Sequence, residues 1–288
     1  MSLSKLQEKV LNNKFSVTAE IFPPKGVDTQ SLVKKAKLID DYVDAVNVTD
    51  NQRAVMRISS LAVSKILIDQ GIEPVYQITC RDRNRLALQS DILGAYALGV
   101  RNMLVISGDY PSIGDHPDAK PVYDLDTMQL IKTVKNLEQG KDLAGKKLKG
   151  APKFFLGAAV NPNSTPVEIS IMSMQKKISV GAEFFQSQPV FHIEEFHRFR
   201  ENIKDFNSKV LIGVLLLKSF AFAQRISGIP GIEVPADVLA RLESSTNELE
   251  EGIKITSALI KQLKNEGADG IHIMAIGVEE NIPRLLPS

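Results

Sequence analysis

One carboxylate stands where an apolar run is about to stop. The stretch Ser16-Val17-Thr18-Ala19-Glu20-Ile21-Phe22-Pro23-Pro24 favours a buried strand around Glu20 and then carries two prolines. Pro23 cannot donate to a ladder, so the strand ends there. A glutamate in such a run is costly to bury unless it is paired or employed in chemistry. It is therefore either a structural ion-pair partner or an acid–base group. Other polar residues recur behind other apolar runs: Thr49, Gln77 with Thr79, Ser107-Gly108-Asp109, Asn161 and Gln188. Two carboxylates such as Glu20 and Asp109 can divide acid and base roles when their surroundings differ. Each residue also has a plainer reading. Thr49 can cap a turn, Asp109 can start a helix, and Gln188 can bond local backbone. Gly108 can serve a tight turn, and Lys176-Lys177 can be the solvated end of a helix.

The elements that must position these residues alternate. Residues 1–12 read as a short amphipathic helix, and the strand ending at Glu20 follows. Further strands are expected over 42–49, 74–80, 101–107, 154–160, 184–189, 210–217 and 270–276. Helices are expected between them: from 28 or 29 to 38, 54–70, 84–98, from 126 or 127 to 139, from Thr165-Pro166 to 180, 193–203, short ones after Lys218 and Pro235, and 247–266. Residues 281–288 read as a tail. Eight strands alternating with helices in 288 residues predict an α/β fold, a (β/α)8 TIM barrel spanning 1–288 as one domain. A doubly wound open sheet is the alternative. In a barrel the polar strand ends would gather around one mouth.

Composition excludes several classes. A formal charge of +1 gives no field for nucleic acid or an anionic membrane. The single cysteine, Cys80, permits no intrachain disulfide. No run of about 18 apolar residues spans a membrane, and the segment Met1–Lys9 lacks the apolar core of a signal peptide. A cytoplasmic protein is expected. The four histidines show no metal-ligand spacing, so no metal site is expected. There is no Gly-x-Gly-x-x-Gly turn, Walker loop or Gly-x-Ser-x-Gly elbow.

In order along the chain, Glu20-Ile21-Phe22-Pro23-Pro24, Val48-Thr49, Thr79-Cys80, Gly108-Asp109, Gly181-Ala182, Gln188-Pro189-Val190-Phe191, Ile212-Gly213-Val214 with Phe220, and Gly270-Ile271-His272 resemble the motifs of the methylenetetrahydrofolate reductase family. The resemblance covers nearly the whole chain. It implies a flavoprotein oxidoreductase of one-carbon metabolism that reduces 5,10-methylenetetrahydrofolate to 5-methyltetrahydrofolate, as used in methionine biosynthesis or the acetyl-CoA pathway. By the same resemblance Glu20 is the general acid and Asp109 the carboxylate beside flavin and pterin. Gln188 and Phe220 are folate contacts. Thr49, Gln77, Ser107, Gly108, Asp109, Tyr123, Ala159, Asn161, Lys176 and Lys177 fall at flavin-contacting positions.

The sequence departs from the better-studied members at four places. Gln77 replaces a histidine, and Val160-Asn161-Pro162-Asn163 replaces a tyrosine and histidine. Ser107 replaces an arginine, and Gly277-Val278 an Asn-Arg pair. FAD is expected before FMN, and because these changes fall on the cofactor side FMN stays open. The electron donor is either NAD(P)H or an iron–sulfur partner subunit, in a homo- or hetero-oligomer. A non-catalytic, folate-binding accessory barrel of a larger complex is the alternative function, and an unrelated barrel lyase or corrinoid-dependent methyltransferase is a third.

Overall fold

The computed structural model describes residues 3–229 and 231–286. The ends of the expected N-terminal helix (1–2) and of the expected tail (287–288) lie outside the described residues. Eight parallel strands close into a barrel in chain order, as the alternation requires. The elements run α1 (Lys5–Leu11), β1 (Ser16–Ile21), α2 (Gln30–Ile39), β2 (Ala45–Val48), α3 (Ser60–Asp69), β3 (Pro74–Thr79), α4 (Arg85–Ala97), β4 (Asn102–Ile106) and α5 (Thr127–Glu138). They continue with β5 (Phe155–Val160), α6 (Val167–Ser179), β6 (Phe184–Pro189), α7 (Ile193–Ile203), β7 (Lys209–Leu215), α8 (Phe220–Ser227), α9 (Ala236–Glu243), α10 (Glu248–Asn265), β8 (Gly270–Met274) and α11 (Ile282–Leu285).

Two cores follow from the alternation of side chains across each strand. Outward residues such as Val46, Ile78, Val105, Ala158 and Ile273 pack under the helices. Inward residues fill the barrel in layers. At its amino end Ala45, Val75, Leu104, Phe155, Phe184 and Leu211 form an apolar floor, sealed by Leu6 and Val10 of α1. Phe155 and Phe184 stack there with centroids 4.5 Å apart. The plug is tied down by polar bonds as well. The Glu73 carboxylate accepts from the backbone N–H groups of Lys5 and Leu6 at 2.7 and 3.0 Å, and the Ser4 hydroxyl donates to Asn102.

Two expected elements differ. The helix expected over 54–70 begins only at Ser60. Residues 52–54 instead form a 3-10 turn in which Arg53 and Ala54 take positive φ, as does Asn51. The backbone donors that would have opened a helix are claimed from elsewhere. Arg53 N–H donates to the Asp109 carboxylate at 2.8 Å and Met56 N–H to Asp115 at 3.0 Å. Part of the expected tail is helical, because Ile282 and Leu285 are fully buried and pack α11 on the core.

Leu6 is completely buried in the barrel floor. Leu6→Ala is expected to cost about 3 kcal/mol, the usual penalty for an unfilled leucine site, read as a lower urea midpoint at unchanged slope.

Candidate active site

The carboxyl ends of the strands open into a cavity of about 1230 Å³. Glu20 stands at its base, 8% exposed. It is not alone. One turn of the pleat below it, Thr18 also points inward, and the two are joined by a polar layer that crosses the barrel. Gln186 on β6 and Asn47 on β2 bond each other through both amide groups, at 2.7 and 3.1 Å. The Gln186 side-chain N–H also donates to the Thr18 hydroxyl at 3.0 Å. Thr18 lies 2.9 Å from His272 Nδ1 on β8. His272 Nε2 lies 3.4 Å from Glu20 Oε1, and the Gln77 amide donates to the same oxygen at 3.4 Å. Donation in the order Gln186, Thr18, His272, Glu20 satisfies each group and fixes the imidazole with Nε2–H toward the carboxylate; the tautomer is assigned from this network. Glu20 Oε2 is buried and has no hydrogen-bond partner among the described residues.

A second carboxylate stands on the rim. Gly108 takes φ +85°, and a Cβ there would sit 3.0 Å from that of Arg81, so the turn after β4 requires glycine. Asp109 follows, its carboxylate held by Arg53 N–H. The turn is braced from behind. Tyr123 donates its hydroxyl to the Gly108 carbonyl at 3.0 Å, and Arg81 donates to that of Asp109 at 3.1 Å. Arg81 is only 2% exposed. It also grips Asp82 through two nitrogens, at 2.7 and 2.6 Å, and reaches the Asn51 carbonyl. The loops after β2, β3 and β4 thus share one guanidinium. Asp50 does similar work beside it, accepting from Thr79 and from both terminal nitrogens of Arg83. Gly114 closes this rim: a Cβ there would overlap the Ala54 carbonyl.

Gln188 reaches the cavity where β6 is irregular. The β6–β7 register slips between Gln186 and Pro189, where proline has no donor for the ladder. The freed Gly213 N–H is taken by the Ser187 hydroxyl at 2.8 Å, and Gln188 is left exposed at the mouth. Lys177 on α6 enters beside it, over the neighbouring strand β5. Its ammonium donates to the Ala159 carbonyl at 2.7 Å and meets no carboxylate among the described residues. Burial therefore holds this amine below the ordinary lysine range.

Of the residues singled out in the sequence, Glu20, Gln77, Ser107, Gly108, Asp109, Ala159, Asn161, Lys177 and Gln188 line the one cavity. Thr49, Tyr123, Lys176 and Phe220 do not. Thr49 is buried, Tyr123 acts on the Gly108 carbonyl, and Lys176 faces solvent. Phe220 packs on the cluster beneath α8 and α9, while Phe222 lines the cavity. Sequence reasoning missed the Thr18–Asn47–Gln186–His272 layer and Arg81. The available signal was spacing: Thr18 with Glu20, and Gln186 with Gln188, share a strand face at i, i+2. Among the described residues no group of three or more His, Cys, Asp or Glu side chains could hold a metal ion. No described helix is long and apolar enough to cross a membrane.

A closed (β/α)8 barrel with an acidic group at its base and a second carboxylate on its carboxyl-end rim defines an enzyme-like barrel. The family model described as methylenetetrahydrofolate reductase matches residues 5–288, and the chain belongs to that family. The 5,10-methylenetetrahydrofolate reductase of Buchnera aphidicola subsp. Schizaphis graminum is 23% identical over 282 residues, covering 94% of this chain and 91% of the relative. That of Escherichia coli K12 is 20% identical over 279 residues, covering 94% and 89%. Among solved structures, an uncharacterized Clostridium thermocellum protein that binds two copies of 5-methyl-5,6,7,8-tetrahydrofolic acid superposes with a TM-score of 0.70, at 17% identity and 98% coverage of both chains.

The Asn47–Gln186 pair gives a clean test of the layer. Gln186→Leu should cost about 2 kcal/mol, because it strands a buried amide. Adding Asn47→Leu should recover part of that loss, a coupling visible in a double-mutant cycle of urea midpoints.

Proposed function

We propose that this protein reduces 5,10-methylenetetrahydrofolate to 5-methyltetrahydrofolate with a bound flavin, and that Glu20 is the general acid. The observation that carries the proposal is the Glu20 carboxyl itself: buried at the base of the cavity, held through Oε1 by Gln77 and His272, and unpartnered at Oε2. A buried polar atom left without a partner calls for explanation by a ligand. Support also comes from the family to which the chain belongs and from the folate bound by its structural neighbour.

The donor set suits a flavin. The cavity exceeds the few hundred to about 1,000 Å³ that one small ligand needs, leaving room for cofactor and substrate together. Lys177, desolvated and without a counter-ion, suits a flavin phosphate, whether mononucleotide or dinucleotide. Ser107, Gly108 and Ala159 would offer backbone and small side chains against the ring, with Gln77 and Asn161 as polar contacts. When bound, the flavin supplies the hydride. The chain's residues do the rest. Glu20 gives its proton to a nitrogen of the substrate's imidazolidine ring, which opens to an iminium able to accept hydride. Gln77 and His272 keep the carboxyl aimed. Asp109, fixed by Arg53 N–H, sets negative charge beside the reacting rings and can accept from the pterin. Gln188 orients the folate from the β6 side.

Two experiments separate these roles. Glu20→Gln should leave flavin reduction near wild type and slow reoxidation by methylenetetrahydrofolate at least 100-fold, within the range of a lost general acid. Full folate reduction by this variant in anaerobic stopped flow would remove Glu20 from the role. Lys177→Met should weaken flavin binding about tenfold, the scale of one charge-assisted hydrogen bond. A phosphate beside Lys177 favours its charged form, so above the amine's lowered value binding takes up a proton. Wild-type flavin affinity should then fall as pH rises toward the ordinary lysine value of about 10.4. The fall should vanish in Lys177→Met, as measured by flavin fluorescence titration.

A further inference from the structure

The wall of the cavity formed by β7, β8 and α8 has a use that the chemistry at Glu20 does not absorb. It is lined by Leu215 and Met274 at the ends of β7 and β8 and by Phe222 and Ile226 of α8. The cation of this wall is Arg225, on the same helix and also lining the cavity. The guanidinium lies 5.6 Å from the Phe222 ring centroid. It has no carboxylate partner among the described residues. Its neighbours are committed. Lys218 also lies over Phe222, 5.0 Å from the ring centroid, but its ammonium donates to the Ile276 carbonyl at 2.7 Å and it is not among the residues that line the cavity. Two other exposed arginines of this side are paired, Arg241 with Glu251 at 2.5 Å and Arg284 with Glu250 at 2.6 Å. Arg225 is thus a free fork of donors beside an apolar strip, resting on an aromatic face.

That pairing of surfaces describes its ligand: a flat apolar body ending in a carboxylate. It rests on the folate reading above, because a reduced folate carries such a segment, a p-aminobenzoyl group amide-linked to glutamate. We propose that Arg225 binds a carboxylate of the glutamyl tail while Phe222 and Ile226 flank the aryl ring, so that α8 selects tailed folates over tail-less pterins. Arg225 does not touch the reacting atoms; it is a specificity residue. Because it is solvent-exposed, the pair is a modest one, and a fewfold effect on affinity is the expected scale.

The test is calorimetric titration of the flavin-loaded protein with two ligands, 5-methyltetrahydrofolate and 5-methyltetrahydropteroate, which lacks the glutamate. Wild type should prefer the tailed ligand about fivefold, and the preference should shrink at high salt. Arg225→Ala should lose it by weakening the tailed ligand alone, and Arg225→Lys should restore most of it. An equal loss for both ligands in Arg225→Ala, or a loss for neither, would overturn the assignment. If wild type binds both ligands equally, the tail reading fails and the folate reading stands. If it binds neither, both fail.

Discussion

The structure turns on a polar layer placed inside the barrel above a floor of hydrocarbon. Thr18, Asn47, Gln186 and His272 sit between an apolar floor and the open mouth. Four buried polar side chains would be ruinous singly, since each unpaired group costs a few kcal/mol. Bonded to one another across the barrel, they are satisfied and rigid. What the layer supports is Glu20, whose Oε1 is bonded from two sides and whose Oε2 has no partner among the described residues. The unsatisfied oxygen is tolerable only because everything below it is fixed and the cavity above it can receive a ligand.

The rim is stabilised by a different device. Arg81 and Asp50 are nearly inaccessible charges that bind the loops after β2, β3 and β4 to one another. Removing either partner of such a pair would leave a buried charge uncompensated. The gain is positional. Asp109 is held through its backbone by Arg81 and through its carboxylate by Arg53 N–H. The strain of three left-handed residues, Asn51, Arg53 and Ala54, is borne by the same contacts. Floor, layer and rim therefore form a series: α1 seals the floor, the floor carries the polar layer, and the layer and rim set the two carboxylates.

The barrel was legible because its signals are local. Strand runs, helix caps such as Asn84 and Asp126, and glycines such as Gly71, Gly99 and Gly181 alternate along the chain. Glu20 was legible because two prolines mark the end of its strand. The supporting layer was not. Its members are single polar residues inside apolar strands, and their partners lie as far as 254 residues away, as for Thr18 and His272. Closure of the barrel creates those contacts, and no local pattern encodes them. The segment after β2 was misread as the start of α3 for the same reason. Asp109 and Asp115, more than fifty residues downstream, take the donors that a helix would need. The Lys176-Lys177 pair divides only in three dimensions, where the turn of α6 between neighbouring residues sends Lys177 to the cavity and leaves Lys176 in solvent.

The claim on which the rest depends is that the unpartnered oxygen of Glu20 exists to meet a folate nitrogen. A crystal structure of the protein with flavin and 5-methyltetrahydrofolate bound addresses it directly. The expected result is a pterin ring over the base of the cavity, with one of its reduced nitrogens, or a single bridging water, within hydrogen-bond distance of the Glu20 carboxyl. A folate bound elsewhere on the barrel, with Glu20 still unpartnered, would contradict it.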